Sequence, residues 1–384
     1  MSTVTPEWIC RPRARDWRCQ PPGRGAAAFH ASLPGYRPTP LLELPALAGE
    51  LEVGRVFVKD ESARLELGAF KVLGASWAVA RVVAAAVGQA TDDIGQGGRG
   101  LTLSAVREAA ARHRSELVTA TDGNHGRAVA WMARQLALPA RVFVPQVVSP
   151  LARSVIAGEG AGVVVVAGSY DQAVERAASY AADAPDRVLV QDTSWPGYEQ
   201  IPAWIVEGYD TLLSEIDAQL DERGLAGPDL VSVPTGVGSL PQAVVAHYRA
   251  GLTERAPSVL SVEPDTAACV LASLADGMPR SVPTGKTVMA GLNCGTPSGL
   301  AWPVLAAGLD AAIAVPDNAA IRAMDDLGRL GVPAGPSAAA ALAGARAALT
   351  GPGARERRKE LGVTSSGVIV LLSTEGRAMA DGTR

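Results

Sequence analysis

The feature that most constrains this chain is an alternation of short apolar runs with helix-length stretches rich in alanine and leucine. From residue 54 onward the runs read Arg55 to Lys59, Leu117 to Ala120, Arg141 to Pro145, Val163 to Ala167, Val188 to Gln191, Leu230 to Pro234, Val259 to Glu263 and Val368 to Ser373. Their hydrophobicity is continuous rather than alternating, which marks strands buried on both faces, as in parallel sheets. Between them, Leu103 to His113, Arg127 to Ala137, Asp171 to Ala182, Trp204 to Leu220 and Ala319 to Leu330 have the composition helices favour. Strands alternating with helices predict an α/β, doubly wound fold. With 384 residues, 48% of them hydrophobic, the chain is long enough for two domains.

Charge and composition then exclude several function classes. The net charge of -4 comes from mixed signs spread along the chain, so the footprint of a nucleic-acid binder is missing. No apolar run reaches a membrane span, and the arginine-bearing stretch Met1 to Gln20 has no apolar signal core, which predicts a cytoplasmic protein with no membrane partner. Cys10, Cys19, Cys269 and Cys294 lack metal-ligand spacing, and His30, His113, His125 and His247 are far apart, so no metal site is expected. The stretch Thr91 to Gly100, rich in Gly and Asp, reads as a mobile surface loop or a plain connector, and the basic run Pro352 to Lys359 as a solvated face.

Nearly all the positive charge is arginine, and the only lysines are Lys59, Lys71, Lys286 and Lys359. Arginine stays protonated in proteins, so any imine chemistry must use one of these. Lys71, in GAFKVLGAS, opens an apolar helical stretch; desolvation there would disfavour the ammonium and leave a nucleophilic amine, although an ordinary helix-start lysine reads the same way. Lys59 lies in strand-like VFVKDE and is expected to pair with Asp60 or Glu61. The run Thr121-Asp122-Gly123-Asn124-His125-Gly126 follows a strand, where open α/β sheets bind ligands. Asn124 can donate to a ligand oxygen and Asp122 offers a carboxylate, while His125 is equally a satisfied turn histidine. Val233 to Leu240 is a strand running into a glycine-rich turn and a helix, an arrangement whose backbone amides cradle a single phosphate. Finally, Leu371 to Gly376 (LLSTEG) ends the last strand with two hydroxyls that either face a ligand or cap a turn.

Lysine, DGNHG loop, glycine-rich turn and terminal hydroxyls, in that order, resemble the fold type II pyridoxal-phosphate enzymes. Further segments resemble the diaminopropionate ammonia-lyases among them: PGYRPTPLLELPALA at Pro34 to Ala48, VKDES at Val58 to Ser62, TDGNHGRAVAW at Thr121 to Trp131, QDTSWPGYEQIPAWIVEGY at Gln191 to Tyr209, VEPDTAAC at Val262 to Cys269 and MAGLNCGTP at Met289 to Pro297. The turn GVGSLPQ departs from the GVGAMAG form of some members.

The resemblance implies two doubly wound domains, 1–80 with 191–384 as the larger and 81–190 as the smaller, with pyridoxal 5'-phosphate in the cleft between them. It implies that Lys71 holds the cofactor, that Phe70 and Leu240 flank its site, that Asn124 meets its phenolic oxygen, and that Gly236, Val237, Gly238 and Ser239 bind its phosphate. Ser373 or Thr374 would face the ring nitrogen, and Asp122 and Asp192 would be the active-site carboxylates. It implies a homodimeric carbon–nitrogen lyase that eliminates ammonia from 2,3-diaminopropionate to give pyruvate. A β-replacement enzyme and a serine or threonine dehydratase share the cofactor contacts and stay open at this point. So does the state of Cys269 and Cys294: their family positions can carry a bridge, whereas a cytoplasmic setting implies thiols.

Overall fold

The computed structural model describes residues 7–23, 25–88, 100–251 and 256–377, and the stretch 91–99 of the expected surface loop lies outside them. The chain forms two compact units. One comprises residues 7–22, 38–63 and 212–377; the other comprises 23, 25–37 and 64–211. Residues 23, 25–37, 64–80 and 191–211, which the sequence reading placed in the larger domain, group here with the second unit.

Among the described residues, eleven strands are numbered in chain order: β1 (Trp8–Cys10), β2 (Leu41–Glu43), β3 (Arg55–Asp60), β4 (Glu116–Ala120), β5 (Ala140–Pro145), β6 (Gly162–Val166), β7 (Arg187–Leu189), β8 (Leu230–Pro234), β9 (Ser258–Pro264), β10 (Ala311–Val315) and β11 (Val368–Ser373). In the first unit they make a seven-stranded sheet, β1-β10-β9-β8-β11-β3-β2. Its middle is parallel, and the short edge strands β1 and β2 pair antiparallel. Strands β8, β9 and β11 are buried at every residue, as continuous apolar runs require. The alanine-rich Pro336–Leu349 helix lies in this unit's core, where its small side chains allow close approach to the sheet. The second unit holds a wholly parallel four-stranded sheet, β6-β5-β4-β7.

Every strand expected from the apolar runs is present, and the fold class is α/β of the fold type II kind. The sequence pattern does not announce β1, β2 and β10. The first two are three-residue edge strands, and β10 reads AAIAV, whose alanines favour helix in isolation. The helix expected near Arg127 starts at Asn124, so Asn124, His125 and Gly126 sit in its first turn rather than in a loop. Among the described residues no helix is long and apolar enough to cross a membrane.

Each sheet has a topological switch point, where connections leave toward opposite sides and the strand ends open a crevice. In the four-stranded sheet it falls at β4, between β5 and β7, so the carboxyl ends of β4 and β7 are neighbours. In the seven-stranded sheet it falls between β8 and β11. The helix that carries Lys71 is then set against the Gln200–Asp221 helix by two facing glycines. A Cβ on Gly208 would lie 2.5 Å from the Leu73 carbonyl oxygen and 2.8 Å from Gly74 Cα. Backbone on the opposing side cannot yield, so Gly208→Ala is expected to destabilise the protein by roughly 1–3 kcal/mol, seen as a lowered thermal midpoint. An unchanged midpoint would show that the two helices have room to separate.

Candidate active site

In the second unit, the turn after β4 is folded by Thr121, whose buried Oγ1 accepts hydrogen bonds from Gly123 N at 2.9 Å and Gly126 N at 3.0 Å. Gly126 has no room for a side chain: a Cβ there would sit 2.3 Å from Thr121 Cγ2 and 2.7 Å from Val142 Cγ1. This compact turn delivers His125 to the end of β7. The buried imidazole Nε2 lies 2.8 Å from the Val190 carbonyl and donates to it, leaving Nδ1 unprotonated. Two residues further, Asp192 is also buried, with Oδ2 3.9 Å from His125 Nδ1. Burial and the nearby Lys71 hold the histidine below its usual range, so it is neutral.

Lys71 is the first residue of its helix, directly after buried Phe70, and its Nζ donates to Asp192 Oδ2 at 2.5 Å. The Phe70 ring lies 5.5 Å from the amine and stacks obliquely on buried Tyr209. Here the structure corrects the sequence reading. Burial does pull the Lys71 pKa down, but the Asp192 carboxylate outweighs it and holds the group above the ordinary lysine range. The reciprocal effect on Asp192 is that burial pushes up, Lys71 and His125 pull down, and the net places it below the ordinary carboxylate range. Lys71 thus rests as an ammonium in an ion pair rather than as a neutral amine. Asp122 is exposed and adds a smaller negative field at Lys71, and Asn124 is half-buried in the helix's first turn.

Lys59 has partners that its local sequence does not announce. Its ammonium is buried, paired to Glu215 at 2.7 Å, and donates to the Thr39 carbonyl and Gln219 Oε1. Glu215 lies in a helix distant in sequence, which no local reading of VFVKDE reveals.

In the first unit, β8 ends in Thr235, which is tied into the sheet: its Oγ1 donates to Val233 O and accepts from Ser261 Oγ. The chain then turns through Gly236, Val237 and Gly238 into the Ser239–Arg249 helix, with Ser239 and Leu240 buried in its first turn. Gly238 adopts φ +101°, where a side chain would be strained, and a Cβ would meet Leu305 Cδ1 at 2.8 Å. A Cβ on Gly236 would come within 3.1 Å of Cys294 Sγ. Such a turn presents backbone and a helix N-terminus but no side chain, which suits an anion the size of a phosphate. On neighbouring β11, Ser373 is buried and its Oγ has no hydrogen-bond partner among the described residues; Thr374 beside it is buried too. A buried hydroxyl without a partner is costly unless a ligand atom meets it. Taken within its own unit, the glycine turn suits a phosphate and the Ser373 hydroxyl a ring nitrogen, while in the other unit the Lys71 amine suits an aldehyde. Cys269 and Cys294 are thiols here rather than a bridge. The Cys269 Sγ lies 3.8 Å from the Gly236 carbonyl, and burial pushes its pKa well up.

The structure therefore gathers Lys71, Phe70, Asp122, Asn124 and Asp192 in one unit, and Gly236, Val237, Gly238, Ser239, Leu240, Ser373 and Thr374 in the other. The sequence reading missed Tyr209 and Gln191 as neighbours of the amine and of Asp192. Both were quoted within matching segments, but a buried helix tyrosine and a strand-end glutamine look like core.

The pyridoxal-phosphate dependent enzyme family matches residues 32–359. The diaminopropionate ammonia-lyase of Salmonella typhimurium is 38% identical over 309 residues, covering 79% of this chain and 74% of that protein. The Escherichia coli (strain K12) diaminopropionate ammonia-lyase is 33% identical over 357 residues, covering 91% of this chain and 87% of that one. A crystal structure of the Escherichia coli lyase, in complex with an aminoacrylate-PLP azomethine reaction intermediate, superposes with a TM-score of 0.80 at 32% identity, covering 93% of this chain and 88% of that chain.

The Lys71–Asp192 pair makes a prediction about pH. Asp192 is depressed, so its contribution to stability is present above the unfolded aspartate pKa of about 3.9 and is lost as pH falls through the folded value. Lys71 is raised, so its contribution is present below the unfolded lysine pKa of about 10.4 and is lost only as pH rises through the folded value. Asp192→Asn in the cofactor-free protein is expected to cost about 3 kcal/mol, level from about pH 5 to about pH 9, and to converge on the parent in strong acid. Thermal unfolding of both proteins across pH checks this; a difference that grows toward acid would contradict the pairing.

Proposed function

Since the chain belongs to the diaminopropionate ammonia-lyase family of pyridoxal-phosphate enzymes, we propose that it is the carbon–nitrogen lyase that converts 2,3-diaminopropionate to pyruvate and two molecules of ammonia. The observation that carries the reading is the buried Asp192 carboxylate 2.5 Å from the Lys71 amine. A carboxylate that holds the Lys71 ammonium can accept the β-ammonium of a diamino acid once Lys71 is taken up by the cofactor. A hydroxyl leaving group, as in a serine or threonine dehydratase, does not require a charged partner there.

The residues divide the work by position. Lys71 would carry the cofactor covalently, Asn124 would donate to its phenolic oxygen, and Phe70 would lie against the site. Gly236, Val237, Gly238 and Ser239, followed by Leu240, would bind its phosphate, and Ser373, with Thr374 as the neighbouring hydroxyl, would face the ring nitrogen. Pyridoxal phosphate supplies an electron sink that makes the substrate's Cα proton removable, and an unprotonated ring nitrogen steers that chemistry to elimination. Lys71, released as a free amine, takes the Cα proton of one enantiomer. Asp122, exposed on the turn that also brings Asn124, takes it from the other. Asp192 binds the β-ammonium as a carboxylate, consistent with its depressed pKa. The Cβ–N bond breaks, ammonia leaves, and water hydrolyses the released enamine to pyruvate and the second ammonia. The same reading makes the enzyme a cytoplasmic homodimer.

Incubation with 2,3-diaminopropionate, serine, threonine and O-acetylserine is expected to give pyruvate fastest from the diamino acid. Faster turnover of serine or threonine would move the protein to the dehydratases. For the two bases, Asp122→Asn is expected to slow the D-isomer by on the order of a hundredfold or more while sparing the L-isomer. Equal losses would make Asp122 a binding group, and no D-isomer turnover in the parent would end the two-base reading.

A further inference from the structure

Asp192 is held from two directions. Its Oδ2 meets Lys71; its Oδ1 lies 3.3 Å from the Nε2 of Gln191, a side chain with no solvent exposure. The orientation of that amide is fixed by its other contacts. Gln191 Oε1 accepts from Thr119 Oγ1 at 3.1 Å and from the Ala120 backbone N at 3.0 Å. Two donors on the oxygen leave the nitrogen facing the acceptors, which are Asp192 Oδ1 and the Tyr170 hydroxyl at 2.8 Å. The backbone is pinned as well, because Gln191 N donates to the Tyr198 hydroxyl at 2.8 Å and that hydroxyl donates to the Leu189 carbonyl at 2.9 Å. A buried amide locked to β4 thus points its N–H at one carboxylate oxygen.

We propose that Gln191 is a positioning residue for Asp192, keeping the carboxylate charged and aimed while its other oxygen exchanges Lys71 for the substrate's β-ammonium. This rests on the role given to Asp192 above. A neutral donor fixed to β4 keeps its hold on the carboxylate when the ammonium contact is given up during turnover, and losing it would leave Asp192 less firmly aimed and easier to protonate. The titratable groups about Asp192 are Lys71, His125, Tyr198 and Tyr209, with Tyr170 sharing the Gln191 amide. His125 Nε2 donates to the Val190 carbonyl and the Tyr198 hydroxyl to the Leu189 carbonyl, so neither of these donors is turned to Asp192.

Two substitutions separate positioning from mere packing. Gln191→Met removes the donor and is expected to raise the KM for 2,3-diaminopropionate roughly ten- to a hundredfold, with a smaller change in kcat, and to move the acid limb of kcat/KM to higher pH. Gln191→Glu keeps an acceptor for Thr119 and Ala120; while protonated its carboxyl still donates to Asp192. It is expected to work nearly as the parent at the acid end and to lose kcat/KM as pH rises and the new carboxyl ionises, a titration an amide cannot show. The visible absorbance of the cofactor-loaded Glu variant, titrated over the same range, should break at the same pH. Asp192→Asn, assayed alongside, must abolish turnover. If it does while both Gln191 variants keep the parent's KM and profile, the positioning role fails alone; if Asp192→Asn turns over normally, the role given to Asp192 fails and this one with it. Should Gln191→Met not fold, the Glu variant decides, and a profile parallel to the parent's overturns the proposal.

Discussion

The contact between the Lys71 ammonium and the Asp192 carboxylate is the constraint to which the second unit is built. An ion pair this close in a largely buried setting exists only if both partners are delivered by rigid elements, since neither charge tolerates loss of the other. Lys71 is delivered by the first turn of a helix that two glycines press against the Gln200–Asp221 helix. Asp192 is delivered by the chain leaving β7, which lies beside β4 because the sheet switches direction there. Around the pair, Gln191, His125 and Tyr209 are buried and oriented. In the cofactor-free protein the pair also sets the charge of both groups, holding the amine as an ammonium and the carboxyl as a carboxylate.

The first unit solves a different problem by the same topological rule. Its switch point sets the end of β8 next to the end of β11. One end supplies a turn from which side chains are excluded, at Gly236 and Gly238; the other supplies a buried hydroxyl, Ser373. Bare backbone and a helix N-terminus suit a doubly charged phosphate, and a hydroxyl suits an unprotonated ring nitrogen. Neither arrangement needs a charged side chain, in keeping with a chain that has so few lysines.

How far this was legible in the sequence follows from where the information lies. Parallel strands announce themselves by continuous apolar runs, and β8 and β11 fall on the expected residues. The AAIAV strand does not, because its alanines carry no strand preference and only the neighbouring β9 decides it. Motifs confined to a few consecutive residues were readable as structure: the DGNHG turn and the glycine-rich turn each join an expected strand to a helix. What depended on partners far along the chain was not: the pairing of Lys59 with Glu215, the placement of Tyr209, and the charge state of Lys71. Burial alone argued for a neutral amine at Lys71, and the sign reversed only when a residue 121 positions away was seen to touch it.

The central claim is that Lys71, alone among the lysines, is the amine that carries the cofactor. Borohydride reduction of the purified, cofactor-loaded protein, followed by digestion and mass mapping, tests it directly. Lys59 is held in its buried pair with Glu215, and Lys286 and Lys359 are exposed. The account predicts a single pyridoxyl label, on the peptide containing Lys71; a label on Lys59 or Lys286 would contradict it.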